Sequence, residues 1–559
     1  MIERGHEEIK MESSRRKPTR DGWSSAIFII FVEFAERFAF YGLLGNLIIY
    51  LTTVLGETTA TAAKNVNTWV GISAILPLIG AFISDSYSGR YKTIAVSCVI
   101  YLMGMVLLTL SVSVIPLNHR EVVFFIALYT LSVGGGGFRP CVQPFAADQF
   151  DENKPEELDA KNSFFNWWYV AIMGGMFFST IVVITLQDNV GWAAGFGVLA
   201  VTIAFALILF LSGTKRYKIH RAEGSPFVMV AQVLVAAVRK WRTSTDENLG
   251  NRNSYYKEID GSSDEDKPPV SQTKIFRFLD KAMIIDKVDA SRSTRNPWRL
   301  CSPYQVEEVK LVLRLIPIWL TGLIFTNVNA MFSTFFIKQG GTMIRSIGPL
   351  HNFPPSGLQC LVASLIIIFI PIYDRVFVPA VRKLTGHPTG ITILQRIGIG
   401  LFLSVLEMSV AALVEAKRVN TAREYGLLDM PKVTIPMSVW WLLPQYILGA
   451  LADVFTLVGL PQIFYDEMPL SLRSLGGACY LSVIGVGSFL NTAIISIVQA
   501  ISSRYGDTWL GSNLNRAHLN YFYWVNAVLC AVNLCVFMWI ARSFKYRKVD
   551  RKPETSSGS

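Results

Sequence analysis

Three ionisable residues, Glu33, Glu36 and Arg37, lie within a stretch that otherwise has the composition of a membrane-spanning helix. On an α-helix, Glu36 lies about 60° to one side of Glu33 and Arg37 about 40° to the other, so the three share one face. If the helix enters the bilayer near Ser25, a rise of roughly 1.5 Å per residue puts them about 12–18 Å deep in a core about 30 Å thick. Carboxylates at that depth can bind and release protons.

Lipid does not accommodate these charges. Each charge at mid-bilayer costs roughly 2.5–3.5 kcal/mol on insertion scales, so three together require a water-filled cavity or partners. A structural salt bridge between Glu33 and Arg37, four residues apart, is the alternative, but it leaves Glu36 without a partner in this segment. We predict that the three side chains face a hydrated cavity and take part in proton binding.

Histidine, the usual proton carrier near neutral pH, is absent from the predicted spans. All six histidines fall in predicted loops or tails: His6, His119, His220, His351, His387 and His518. Burial favours the neutral form of a carboxyl group, whereas a nearby arginine favours the charged form. Glu33 and Glu36 meet both conditions beside Arg37, so the sequence predicts carboxylates as the proton carriers.

A second buried cation is predicted in the fourth hydrophobic span, where Arg139 follows Gly134–Gly137 and precedes Pro140. A glycine run can cradle phosphate, but the Gly-Lys-Ser/Thr of a nucleotide-binding loop is missing. Glycine lets helices approach closely and proline frees a backbone carbonyl, so a locally loosened helix is the better interpretation. Arg139 then also requires a polar cavity.

The composition is that of a membrane protein with many spans. Of 559 residues, 51% are hydrophobic and 17% charged, and the mean hydropathy is +0.38. The net charge of +11 comes from basic residues between and beyond the hydrophobic spans, where loop charge orients a membrane protein, so we predict no nucleic-acid partner. The seven cysteines form no metal or disulfide pattern, and the sequence carries no catalytic Ser/His/Asp grouping, so we expect neither an enzyme nor a cofactor.

Twelve hydrophobic spans can be drawn, in two groups of six separated by a polar segment. They cover residues 24–50, 66–85, 92–115, 121–147, 163–187, 191–213, 310–337, 357–380, 392–416, 436–465, 474–500 and 519–542. The predicted domains are a tail at 1–23, a six-helix half at 24–213, a linker at 214–309, a six-helix half at 310–542 and a tail at 543–559. The linker is predicted to hold a short amphipathic helix near Phe227–Trp241. Lys and Arg are concentrated in the tails, the linker and the turns on the same side, which predicts that both termini are cytosolic.

Related loops in the two halves indicate an internal repeat. Asp85 and Arg90 lie between the second and third spans, and Asp374 and Arg375 lie between the eighth and ninth. Two six-helix halves with matched loops are typical of transporters whose halves rock around a substrate site near the middle of the bilayer. The first loop resembles the signature of the major facilitator superfamily, which implies that Asp85 and Arg90 are gating residues. The repeat extends that role to Asp374 and Arg375, and an ordinary basic turn is the alternative.

Several motifs together resemble the plant nitrate transporter 1/peptide transporter family, the plant branch of the proton-dependent oligopeptide transporters. The motifs are Glu33-x-x-Glu36-Arg37, Gly89–Lys92, Gly135–Pro140, Ala147–Asp151, Phe164–Trp168, Tyr373–Arg375, Leu394–Gly398 and Leu514–Trp524. The resemblance implies an all-α membrane protein with a major facilitator fold, twelve transmembrane helices in two halves around a central cytosolic loop. It also implies symport driven by the proton gradient, with Glu33, Glu36 and Arg37 coupling protons to substrate.

Substrate recognition is where the chain departs from that family. Arg139 replaces the usual lysine, which keeps the charge and adds a planar, bidentate fork. Gln462 stands where the family resemblance implies a carboxylate in the tenth helix, which argues against a peptide substrate. Asn329 stands where the best-known nitrate carrier of the family has a histidine. The predicted substrate-binding residues are Arg139, Asn329, Gln462 and Tyr41, which extends the Glu33 face.

The balance of charges favours an anionic substrate. Glu33 and Glu36 offset Arg37 and Arg139, so taking up protons makes this part of the cavity cationic. An anion can then be held by the Arg139 guanidinium. Nitrate is the leading candidate. The alternatives are a di- or tripeptide symporter, a carrier of a plant hormone or secondary metabolite, and a passive channel or transport-dead sensor.

Two further acids and one threonine complete the candidate residues. Asp453 and Glu407 lie in predicted spans, and each is either functional or part of an interhelical pair. Asp453 is nine residues from Gln462, about 180° round a helix, so both face one cavity only if the helix bends. Thr93 resembles the position at which the family's dual-affinity nitrate carrier is phosphorylated, which implies a regulatory kinase, with a structural helix-start threonine as the alternative.

Overall fold

The computed structural model is built almost wholly of helices. It describes residues 22–150, 154–219, 226–241, 276–284, 289, 296–346, 354–386, 390–469, 472–504 and 508–544. The chain forms two compact units. The first unit comprises Met1–Leu47 and Ile79–Ala222, and the second comprises Ile48–Leu78 and Glu223–Ser559.

The first six helices include all the residues of the predicted charge cluster. They are α1 (Gly22–Thr53), α2 (Thr59–Ile83), α3 (Arg90–Ser113), α4 (Leu117–Ala147), α5 (Pro155–Asn189) and α6 (Trp192–Ser212), with a π-helical turn at Ser84–Ser88 between α2 and α3. By the division above, α1 begins in the first unit and ends in the second, which also contains most of α2.

Ten helices follow in the described part of the chain, some of them joined end to end into one span. They are α7 (Pro226–Arg239), α8 (Pro303–Leu313), α9 (Ile316–Asn329), α10 (Phe335–Gly341), α11 (Gln359–Ile372), α12 (Val378–Thr385), α13 (Ile393–Glu424), α14 (Leu443–Glu467), α15 (Arg473–Arg504) and α16 (Leu519–Ser543). Two short parallel strands, β1 (Met343–Ile344) and β2 (Ile435–Ser438), pair Met343 with Ile435.

The prediction of twelve spans is confirmed. Eleven helical stretches of the described chain are long and apolar enough to cross a membrane. The twelfth is α1, which has 32 residues and differs from the others by carrying Glu33, Glu36 and Arg37. The amphipathic helix predicted near Phe227–Trp241 is α7, which buries Val233 and Ala236.

α4 is a continuous helix through the glycine run and Pro140, so the locally loosened helix expected there is wrong, whereas the expected close helix packing is present. A Cβ on Gly134 would lie only 2.7 Å from the backbone nitrogen of Tyr101 on α3. A Cβ on Gly104 of α3 would in turn lie 2.8 Å from the side chain of Leu131. Because neither position leaves room for a side chain, the backbones of α3 and α4 come close together, which fixes the direction of Arg139 further along α4.

A buried arginine ties three segments of the second unit together. Arg418 of α13 is fully buried and donates to both oxygens of Glu415, at 2.6 and 2.8 Å. It also donates to the Leu514 carbonyl at 2.7 Å and to the side chains of Asn515 and Thr342, at 2.9 and 3.2 Å. The end of α13 is thereby joined to the segment before α16 and to the residue after α10.

We predict that Arg418→Ala lowers the free energy of unfolding by about 3–5 kcal/mol, because it leaves the Glu415 carboxylate buried without its cation. Thermal unfolding of the purified protein in detergent measures the change. Arg423→Ala, on an exposed residue of the same helix, is the matched control and should change stability by no more than about 0.5 kcal/mol. Equal melting temperatures for the two variants would contradict the prediction.

Candidate functional site

The predicted charge cluster forms in the first unit. Arg37 Nε donates to Glu33 Oε1 at 2.7 Å, across one turn of α1. The same nitrogen lies 3.4 Å from Glu36 Oε2, so it interacts with both carboxylates. This geometry follows from the spacing of the three residues, since positions three and four apart on a helix are neighbours.

Arg139 joins the cluster from α4. Its Nε and Nη2 both donate to Glu36 Oε1, at 3.0 and 2.9 Å. The guanidinium carbon also lies 4.0 Å from the centroid of the Phe40 ring, one helical turn after Glu36. Phe40 in turn packs edge-on against Tyr41, with 5.4 Å between the ring centroids. Arg139 is therefore held by a charge and by an aromatic face, both supplied by α1.

The carboxylates of the cluster are deeply buried, whereas the arginines are partly accessible. Glu33 and Glu36 are 1% and 3% exposed, and the side chains of Arg37 and Arg139 are 18% and 12% exposed. Each carboxylate keeps one buried oxygen without a hydrogen-bond partner among the described residues, Oε2 in both cases. An oxygen of this kind is a position at which a proton can be bound.

A small cavity adjoins Glu36. It has a volume of about 10 Å³ and is lined by Glu36, Cys98, Tyr101 and Phe138, among others. That is about the volume that one water molecule needs. Reasoning from the sequence missed Cys98 and Tyr101 as lining residues, because the contact depends on how α3 packs against α1 and α4.

Close helix packing places the cluster. A Cβ on Gly175 of α5 would lie 2.8 Å from Arg37 Cβ and 2.8 Å from the Phe34 carbonyl. The absence of a side chain at Gly175 thus lets α5 approach the charged turn of α1 directly. On α4, Gly135 is followed four residues later by Arg139, whose Nε lies 3.7 Å from the position of a Cβ on Gly135.

The charges of the cluster balance, with two carboxylates and two guanidinium groups. Glu36 contacts both arginines and therefore connects the two ion pairs. Binding a proton at Glu36 would remove the charge that holds Arg139 and would weaken the contact with Arg37. The arrangement can therefore convert proton binding into the release of a guanidinium group.

The second unit brings together a different set of predicted residues. Asn329 Nδ2, at the end of α9, donates to Asp453 Oδ1 of α14 at 2.8 Å. Glu407 of α13 and Asp453 are both buried, at 1% and 5% exposure. Gln462 is exposed, so it lies on a different face of α14 from Asp453, as the nine-residue spacing indicated.

The predicted gating residues are placed as follows. Arg90 forms its ion pair with Asp148, at the end of α4. Asp85 lies in the π-helical turn within electrostatic range of Arg90. Arg375 is exposed in the π-helical turn Tyr373–Phe377, and the side chain of Asp374 lies outside the described part of the structure. Asp148 was not singled out as a partner, although it lies within the Ala147–Asp151 motif.

Thr93 is engaged in the first turn of α3. Its hydroxyl donates to the Gly89 carbonyl at 2.9 Å, and its Oγ1 lies 2.7 Å from Ser88 Oγ. The side chain is buried. These contacts fit the structural role considered for Thr93, and its phosphorylation stays a prediction.

Comparison with known proteins places the chain in a family. A model of the POT family matches residues 91–511. The protein NRT1/PTR family 5.4 of Arabidopsis thaliana is 51% identical over 541 residues, which are 96% of this chain and 97% of the relative. NRT1/PTR family 5.10 of the same plant is 46% identical over 553 residues, which are 96% of this chain and 95% of the relative.

Solved structures show the same fold. An auto-inhibited POT family peptide transporter matches with a TM-score of 0.72 at 20% identity, covering 94% of this chain and 98% of that one. The POT family transporter PepTSo matches with a TM-score of 0.71 at 22% identity, covering 93% and 98%. The twelve-helix major facilitator fold is therefore confirmed, as is the expectation that the protein is not an enzyme. The chain belongs to the proton-dependent oligopeptide transporter (POT) family, together with the NRT1/PTR proteins of plants, and is a proton-coupled transporter of a small solute.

Proposed function

We propose that this protein is a proton-coupled symporter of a small anion, with nitrate as the leading candidate. The observation that carries the proposal is that Glu36 Oε1 accepts from both Nε and Nη2 of Arg139. In this state the carboxylate occupies the side of the guanidinium that a planar anion would use. A proton and an anion therefore act on the same ion pair.

The coupling follows from the charges. When Glu36 binds a proton it no longer offers a charged acceptor, and the Arg139 fork becomes available to an anion. Nitrate is planar, and its oxygens can accept hydrogen bonds from the two N–H groups of Arg139 that donate to Glu36 in this state. One proton and one nitrate ion add no net charge, so the cluster keeps its balance when both are bound. When the proton leaves, Glu36 competes again for Arg139 and displaces the anion.

Further polar side chains among the predicted substrate-binding residues could donate to the anion. Tyr41 packs against Phe40, beside Arg139, and its hydroxyl is a hydrogen-bond donor. Asn329 has a second amide hydrogen besides the one that it gives to Asp453. We retain Tyr41, Asn329 and Gln462 as substrate-binding candidates, and a multi-pass orientation with both termini cytosolic as part of the proposal. Alternating access would expose these groups to each side in turn.

A peptide is the second candidate substrate, and one observation favours it. Asp453 and Glu407 are buried in the second unit, and neither forms an ion pair with a described cation. A buried carboxylate without a cation can receive the amino group of a peptide. Several structurally similar proteins are named as peptide transporters.

We predict that Glu36→Gln uncouples transport from the proton gradient. Glutamine is neutral at every pH, so Arg139 is released permanently and a proton can no longer control the site. Nitrate uptake into proteoliposomes with an inward proton gradient should fall by roughly 5–150-fold, the range that typical coupling free energies span. Exchange of nitrate at equal pH on both sides should continue.

Glu121→Gln, on an exposed residue at the start of α4, is the control and should leave gradient-driven uptake unchanged. Gradient-driven accumulation that persists in Glu36→Gln would contradict the assigned role of Glu36. Absence of pH-dependent nitrate uptake by the native protein would instead reject nitrate.

We predict that Arg139→Lys raises the KM for nitrate and has little effect on how uptake depends on pH. Lysine keeps the positive charge beside Glu36 but loses the planar pair of N–H groups. The KM should rise roughly tenfold, because one lost charged hydrogen bond is worth about 1.5 kcal/mol or more. Uptake at a series of nitrate concentrations and pH values separates the two effects. An unchanged KM would mean that the anion does not use the fork.

We predict that unlabelled nitrate, but not dialanine, competes with labelled nitrate for uptake. A dipeptide brings an ammonium group, which the two guanidinium groups of the first unit repel. Proton-driven uptake of dialanine itself would favour the peptide alternative. Loss of that uptake in Asp453→Asn would then assign the amino-group site to Asp453.

A further inference from the structure

Glu407 and Asp453 lie side by side in the interior of the second unit. Gly449 and Asp453 are four residues apart on α14, so they share one face of that helix. Glu407 Oε1 lies 3.0 Å from the position that a Cβ on Gly449 would take. The carboxyl group of Glu407 is therefore placed within one helical turn of Asp453. Gly449 provides the space that it occupies.

Neither carboxyl group has a cationic partner in the described part of the second unit. Asp453 accepts one hydrogen bond, from the neutral amide of Asn329. Glu407 Oε1 is buried and has no hydrogen-bond partner among the described residues. The nearest charged groups on α13 are used elsewhere, since Arg396 donates to the Val454 carbonyl at 3.0 Å and Glu415 is paired with Arg418.

The other groups that face Glu407 do not supply a charge either. Phe332, which follows α9, contacts the same position on Gly449. Cys530 of α16 is the further titratable group within electrostatic range of Glu407, and its thiol is buried. Among the described residues, the aromatic ring, the thiol and the neutral amide beside this acid pair do not offset two negative charges.

Burial of an unpaired carboxylate costs several kcal/mol, and a second carboxylate nearby adds repulsion, so at least one of the two acids must be neutral. Asp453 accepts a hydrogen bond from Asn329, which favours its charged form. Glu407 has no such donor at Oε1, so the proton belongs on Glu407.

We propose that Glu407 and Asp453 form a second proton-binding site, separate from the Glu33–Arg37 cluster, in which Glu407 holds a proton while α13 and α14 are packed together. When water reaches the pair, the O–H bond of the Glu407 carboxyl breaks and water accepts the proton. The charged form is then stabilised by hydration. This site differs from the first because its proton competes with no arginine. Its part in transport rests on the proposed symport, but its proton occupancy does not.

Infrared spectroscopy of the purified protein in lipid nanodiscs tests the occupancy. At neutral pH the native protein should show a carbonyl band of a protonated carboxyl group, and Glu407→Gln should lose it. The control Glu424→Gln, on an exposed residue of the same helix, should keep the band. A spectrum of Glu407→Gln with an unchanged protonated-carboxyl band would overturn the proposal.

Stability provides a second readout. Glutamine has nearly the shape of a protonated glutamate, so Glu407→Gln should fold and melt close to the native temperature. Failure of this variant to fold would also count against the proposal, because a neutral side chain would then not replace the one that is present. Asp453→Asn should make Glu407 lose its proton at a lower pH than in the native protein, since it removes the neighbouring negative charge that favours the protonated form.

Transport distinguishes this proposal from the proposed function. If nitrate is the substrate, the ratio of protons to nitrate measured in proteoliposomes should be lower in Glu407→Gln than in the native protein, and unchanged in Glu424→Gln. An unchanged ratio together with loss of the infrared band would confirm that Glu407 binds a proton and would show that this proton takes no part in coupling. No nitrate uptake by the native protein would reject the substrate alone, because the spectra do not depend on substrate.

Discussion

The contact between Glu36 and Arg139 is the interaction on which the site depends. It joins α1 to α4, and it pairs a buried acid with a partly accessible arginine. Buried ion pairs seldom add net stability, because taking both charges out of water costs about as much as their attraction returns. Such a pair is therefore a poor way to hold two helices together. It is well suited to a change of state, because a single proton removes one of its charges.

The two groups of buried acids differ in the interactions with which a proton must compete. In the first unit two carboxylates are balanced by two arginines, so a proton has to compete with ion pairs. In the second unit Glu407 and Asp453 have a neutral amide beside them, so their charged forms lack compensation. The first group is most easily protonated when its arginines are drawn away, and the second is most easily deprotonated when water enters. The two conditions need not arise in the same step of a transport cycle.

The local part of the site could be predicted from the sequence, and the tertiary part could not. Helical spacing was enough to place Glu33, Glu36 and Arg37 on one face, and to separate Asp453 from Gln462 on α14. The partner of Arg139 lies 103 positions away in sequence, and Asn329 and Asp453 are 124 positions apart. Spacing alone carries no information about such pairs, so the charges of Glu33, Glu36, Arg37 and Arg139 could be balanced from the sequence, but the direct contact between Glu36 and Arg139 could not be predicted. The same limit applies to Arg90, whose ion-pair partner is Asp148.

In the proposed mechanism, Phe40 would keep Arg139 in place for the substrate once Glu36 has taken up a proton. The attraction between the guanidinium group and the aromatic face, 4.0 Å away, does not change when Glu36 takes up a proton. The close packing of α3 against α4 at Gly134 and of α5 against α1 at Gly175 also limits how far the helices can adjust. Protonation therefore frees the N–H groups of Arg139 without freeing the side chain to move away. In the proposed mechanism the anion takes the place of the Glu36 oxygen on an arginine that is already oriented, which lowers the entropy cost of binding a ligand as small as nitrate.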